Sequence, residues 1–219
     1  LAESLGKGND EVMDSVPVPV AKGARSFRPG WLAEAARNGK GGNERFIYGV
    51  RLLITASRNG VINGWIVAAA NVQDRWLAEF LFSSRAGCSG LRGPSGPRNP
   101  PRPEPPQEWF GTPAGAGEVG QGLIWADAGF DGADWLAHWA SAYGARVCTP
   151  TEQSGPRPRS WFSPVRQVVE TVFANLVTCF GLAFPAAHTT WGLLTRLAEK
   201  LAAYNLGIAI NQLCHRRCF

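Results

Sequence analysis

Three carboxylates stand at positions where carboxylates are otherwise hard to justify. Asp14 heads an extended apolar run, Asp14-Ser-Val-Pro-Val-Pro-Val20. Asp127 ends the hydrophobic segment Gly122-Leu-Ile-Trp-Ala126, and Glu170 lies in Val165-Arg-Gln-Val-Val-Glu-Thr-Val-Phe173, a helix rich in β-branched residues. Each is expected to be partly desolvated, which is unfavourable for an ionised carboxyl unless it is paired or binds a cation. A shared metal site is the chemistry that such a trio permits. The plainer alternative gives each acid a local job: a turn acid at Asp14, a strand-end cap at Asp127, and an i,i+4 ion pair between Arg166 and Glu170. The three lie far apart in the chain, so only the fold can unite them.

The elements that must position them follow from pattern. Phe46–Ser57 and Val61–Ala68 are β-rich runs separated by Arg58-Asn59-Gly60, and Asn-Gly is the strongest short hairpin signal. The two prolines of the run after Asp14 deny a ladder two donors and predict an edge or a strand end. Asn71 to Phe82 reads as a helix capped by Asn71 or Asp74, with Trp76, Leu77, Phe80 and Leu81 as its apolar face. The strand before Asp127, the helical spacing of 133–143 and the short strand 146–148 form a β–α–β rhythm, which predicts an α/β fold with a mixed or parallel sheet under covering helices. Pro164–Phe180 reads as a helix with Pro in its first turn. Thr189–Cys214 reads as another, with Leu193, Leu194, Leu197, Leu201 and Leu206 toward the sheet.

Residues 85–120 are a Pro/Gly-rich insertion or linker, with seven prolines in 94–106. The formal G-x-G-x-x-G at 115–120 precedes a strand rather than opening a helix, so it reads as flexible chain. Residues 21–45, rich in Gly, Arg and Lys, read as a solvated loop whose Lys22 and Arg25 are placed to hold phosphates if the loop lies near a site.

With 219 residues, one well-cored unit fills the length, and two full domains would be tight. An excess of 22 basic over 17 acidic residues, net +5, is compatible with a polyanionic partner without requiring one. Nine Trp and eleven Phe mostly serve burial. The five cysteines (Cys88, Cys148, Cys179, Cys214 and Cys218) are odd in number and scattered, which argues against a disulfide framework and for a reducing, cytoplasmic setting. His138, His188 and His215 have no spacing suited to metal binding or nucleophilic catalysis and are expected to be structural or exposed. No apolar run approaches the length of a membrane span, so no membrane partner is expected.

Six stretches in order are similar to the landmarks of bacterial insertion-sequence DDE transposases. They are Asp14 to Val20, Phe46-Ile-Tyr-Gly-Val-Arg-Leu-Leu-Ile54, Ala70-Asn-Val-Gln-Asp74, Trp125-Ala-Asp-Ala-Gly-Phe-Asp131, Arg166-Gln-Val-Val-Glu170, and Trp191 to Gly207. The resemblance implies a ribonuclease H-like fold: a mixed sheet that begins with a three-stranded meander, flanked by helices. Asp14 would lie on the first strand, Asp127 after the fourth, and Glu170 on a helix across from both. It also implies the chemistry: two magnesium or manganese ions held by Asp14, Asp127 and Glu170, acting in phosphodiester cleavage and strand transfer on double-stranded transposon ends and target DNA. Arg166, Lys22, Arg25 and Arg51 are the corresponding candidates for DNA contact. Cutting two ends together favours a homodimer, and a nucleoid location would follow from DNA binding.

The chain also departs from the family pattern. Val177 stands where many relatives have a Lys seven residues after the Glu, and Ser163 where some have a Tyr. Ala128 and Phe130 replace a Lys and a Tyr common after the second Asp. The chain begins with Leu1, so an upstream DNA-binding region is expected to be missing from a single catalytic domain spanning 1–219. A truncated, inactive remnant that binds DNA or a full-length transposase is the alternative; a ribonuclease H-like nuclease that cuts without joining is a third.

Overall fold

A computed structural model of the chain describes residues 10–21, 32, 35–40, 46–87, 122–150 and 163–214. Of the insertion expected at 85–120, Arg85 instead ends a helix and residues 88–120, with the glycine motif, lie outside them, as do the basic residues Lys22 and Arg25.

Six strands form one mixed sheet. β1 (Glu11–Pro19) pairs antiparallel with β3 (Phe46–Ser57), and β3 pairs antiparallel with β4 (Ile62–Ala69). On its other side β1 pairs in parallel with β5 (Leu123–Ala126), and β5 with β6 (Arg146–Cys148). The predicted hairpin is present. Gly60 takes φ 80°, the left-handed region that glycine enters without strain, and Ser57 and Val61 close the turn.

β2 (Arg37–Lys40) falls inside the stretch expected to be a loop. Arg-Asn-Gly-Lys carries no strand propensity. It forms because β3 extends past the end of β4 and leaves the backbone of Phe46–Gly49 to be paired, which Arg37–Lys40 does.

β1 is central in the sheet rather than an edge, and Pro17 and Pro19 fall at its end, the other of the two places expected for them. β5 pairs only with Glu11–Met13 and then turns away. Beyond Met13 that side of β1 has no strand beside it among the described residues, although the Phe184 N–H reaches Pro19 O there (2.9 Å). Ser15 sends its N–H to the Asp14 carboxylate instead of to β3, and Pro17 and Pro19 share its parity. The missing donors therefore fall on the open side.

Helices cover both faces. On one face α1 (Asp74–Arg85) and α2 (Ala133–Tyr143) pack Trp76, Leu77, Phe80, Leu81, Trp135 and Trp139 against Met13, Leu53 and Ile66. Glu79 is fully buried in that layer and accepts from Trp139 Nε1 (3.1 Å) and Tyr143 Oη (2.6 Å), with His138 Nε2 also 3.1 Å away. α1 begins at Asp74, after Gln73, whose side chain makes no capping bond.

On the other face α3 (Ser163–Thr178) buries Val169, Val172, Phe173 and Leu176. α4 (Thr190–Leu213) buries Leu193, Leu197, Leu201 and Tyr204, and Thr189 caps it by accepting from the Gly192 N–H. Leu206, expected to face the sheet, is 54% exposed, because the inward stripe continues through Ile208 and Ala209. Asn205 reaches β4 instead: its Oδ1 accepts from Ile62 N (2.9 Å), and its Nδ2 donates to Ile62 O (2.7 Å). Among the described residues no helix is long and apolar enough to cross a membrane.

Candidate functional site

The parallel register of β1 and β5 builds the site. Met13 lies beside Ala126, so the residues that follow, Asp14 within β1 and Asp127 just past the end of β5, emerge side by side where the pairing of the two strands stops. Strand neighbours are about 4.8 Å apart, and crevices at the ends of parallel strands are where open α/β sheets bind ligands. Val12 and Trp125, two residues earlier, belong to the core under α3 and α4, so the two acids rise on the α3 side.

The environment of the pair disfavours negative charge. Burial, then the charge of Asp127, then that of Asp74, push the Asp14 carboxyl up to about 7, against the opposing Ser15 N–H bond (2.7 Å) and the Arg166 charge. Asp127 is raised as well, first by burial and then by Asp74. The Gly129 N–H bond to its Oδ1 (2.8 Å) and the charges of Arg166 and Arg51 oppose this. The Gly129 bond also makes Asp127 the cap of the short 3-10 turn Ala128–Phe130, the local job the plainer alternative gave it.

A third acid joins the pair, and it is Asp74. Its Oδ1 accepts from Ser15 Oγ (2.5 Å) and from Arg51 Nη1 (2.8 Å). Its Oδ2 approaches Gly129 closely: a Cβ at Gly129 would lie 3.0 Å from Asp74 Oδ2 and 3.0 Å from Asp127 Oδ1. The two carboxylate oxygens are thus separated by at most twice that distance, with only a glycine between them. Arg51 has three partners, since its Nη1 also reaches Ser15 Oγ (3.4 Å) and its Nη2 donates to Lys40 O (3.1 Å).

Glu170 sits differently. It lies on the outer side of α3, 3.3 Å from Arg166, with the side chains of Arg166 and Glu170 44% and 49% exposed. From α3 it is the charge of Arg166 that reaches both acids. Of the sequence candidates, then, Asp14 and Asp127 come together, Arg51 and Arg166 flank them, and Glu170 is turned to solvent. Asp74 was read only as a helix cap, although it closes the Ala70–Asp74 landmark. Among the described residues, no group of three His, Cys, Asp or Glu has the arrangement to hold a metal ion. No known protein family, curated protein or solved structure matches the chain.

Proposed function

We propose that the chain is the catalytic domain of a DDE-type DNA transposase on a ribonuclease H-like fold, cutting and joining phosphodiesters at insertion-sequence ends with magnesium or manganese. The observation that carries this reading is the convergence of Asp14 and Asp127 where the pairing of β1 with β5 ends. The sheet supports it too: an antiparallel meander of β1, β3 and β4 continues into parallel β5 and β6, with helices on both faces.

The donor set fits a hard cation in part. Two half-buried carboxylates whose charges oppose one another are what a divalent ion stabilises, and oxygen is the ligand such ions take. Asp14 and Asp127 would hold it. When bound, such an ion supplies the positive charge that activates an attacking oxygen and stabilises a leaving one at phosphorus. The Gly129 N–H orients Asp127. Ser15 and Arg51 keep Asp74 beside the pair rather than within it. The charge of Arg166 reaches both acids from α3, and a phosphate held at the acids would feel it too. For Glu170 to complete a triad, it must leave Arg166 and turn inward.

That requirement favours one second reading: an inactive remnant that binds DNA or an intact transposase, in which the Arg166–Glu170 pair is the resting arrangement. The test is manganese-dependent nicking and strand transfer on a duplex carrying the element's terminal repeat. We expect activity in wild type and its loss in Asp127→Asn and Glu170→Gln. Full activity in Asp127→Asn would sink the proposal. A folded wild type that neither cuts nor gains thermal stability from either metal is the remnant. Cutting without joining identifies a ribonuclease H-like nuclease.

A further inference from the structure

Beside the acid pair lies a cleft of about 530 Å³ that the reaction above leaves unused. Asp74 and Gly129, which flank the acids, are part of its lining, together with Arg51, Arg75, Lys40 and Phe46. A space of this size takes a small organic ligand or a nucleotide or two, and is too small for a duplex.

Its charge is lopsided. Asp74 neutralises Arg51, whereas Lys40 and Arg75 make no ion pair among the described residues. Positive charge is therefore in surplus away from the acids, which suits phosphates. Phe46 is 77% exposed at the start of β3, and it stands opposite Lys40 in the β2–β3 register. Directly paired residues share one face of a sheet, so the ring and the ammonium sit side by side. An aromatic face next to a cation is the usual platform for an unpaired base, and it accepts any base because every base has a π-face.

The turn between β4 and α1 also contributes to the lining. Position 73, which precedes the helix, is normally filled by a short capping side chain; Gln73 makes no such bond. Gln73 and Asn71, both in the lining, thus offer amides to a ligand.

We infer that this cleft seats one or two unpaired nucleotides of the DNA strand running on from the phosphate at Asp14 and Asp127, with a base on Phe46 and its phosphates at Lys40 and Arg75. This rests on the reading of the acid pair as a DNA-cutting site. A strand seated here is peeled from its complement next to the reacting bond.

The test is binding of the whole chain, in EDTA, to a fluorescent blunt duplex and to the same duplex with a short unpaired tail carrying 2-aminopurine. The tailed duplex should bind more tightly, with the 2-aminopurine quenched. Phe46→Ala should weaken tailed binding roughly tenfold, as expected for one lost stacking contact, and leave blunt binding unchanged. Arg75→Gln should flatten the salt dependence of tailed binding by a slope of about 0.7, one phosphate contact. Thermal melting verifies that both variants are folded, and Phe46, being exposed, can be removed without opening the core. If Phe46→Ala binds the tail as wild type does, or tail and blunt end bind alike, the proposal is overturned. Since no metal is present, a chain that binds tails yet never cuts refutes the transposase reading and leaves the cleft. One that cuts normally while Phe46→Ala keeps full affinity refutes the cleft alone.

Discussion

Replacing Asp14 by Asn should stabilise the metal-free protein at pH 8, and by only about a third as much at pH 5. In the folded chain burial and the charge of Asp127 keep the Asp14 carboxyl protonated up to about pH 7. In the unfolded chain an Asp ionises near pH 4, about three pH units lower. Between those values the folded state binds more protons than the unfolded one, so stability falls as pH rises through the window and stays low above it. Three pH units are worth ~4 kcal/mol. Water at the half-buried site screens part of this, leaving roughly 2–3 kcal/mol, or roughly 5–10 °C in Tm for a chain of this size. Asn keeps the shape and cannot ionise, so the difference between wild type and Asp14→Asn isolates this one group from every other titration. Urea unfolding with chelator, followed by tryptophan fluorescence at pH 5, 6, 7 and 8, reads it directly. The two stabilities should diverge with rising pH. Parallel curves across the range would refute the claim that the acids share a desolvated site. Magnesium or manganese at pH 8 should raise wild type toward the variant if the pair takes a cation.

Three further expectations follow from the same contacts. Arg51→Met leaves the Asp74 carboxylate uncompensated next to two other acids and should destabilise by about 2–3 kcal/mol in urea unfolding, with much of the loss recovered in Arg51→Met/Asp74→Asn. Glu79→Ala strands the buried Trp139 and Tyr143 donors and opens a cavity, so a loss of ~3 kcal/mol or more is expected, against ~1 kcal/mol for Glu79→Gln; equal losses would mean the polar network is irrelevant. Gly129→Ala drives a methyl between Asp127 and Asp74 and should cost about 1–2 kcal/mol while abolishing any metal-linked gain in Tm.

Much of the scaffold was legible because its signals are local. Asn59-Gly60 marks the hairpin, the apolar run before Asp127 marks β5, and residues 133–143 form α2 within the expected bounds. The Asp14–Asp127 pair was legible in part: Asp14 heads an apolar run, Asp127 ends one, and the parallel pairing of β1 with β5 brings the two together. Asp74 was not. In the sequence it is an ordinary first-turn acid, and its role exists only because Ser15 and Arg51 arrive from β1 and β3. β2 was hidden for a similar reason, as its pairing is dictated by the overhang of β3 and not by Arg-Asn-Gly-Lys. Glu170 is the instructive case. The helical period already turns Val169, Val172, Phe173 and Leu176 inward, which aims positions 166 and 170 outward as an ion pair. The family landmark assigned the same carboxylate to a triad.

Asn205 has a bearing on when this protein can fold. Its amide occupies both backbone groups of Ile62, the first residue of β4, as another strand would. A helix made 143 residues later thus finishes a hairpin made earlier. During synthesis that position of β4 waits unpaired until α4 leaves the ribosome, so the hairpin edge is completed only after the intervening chain has been made.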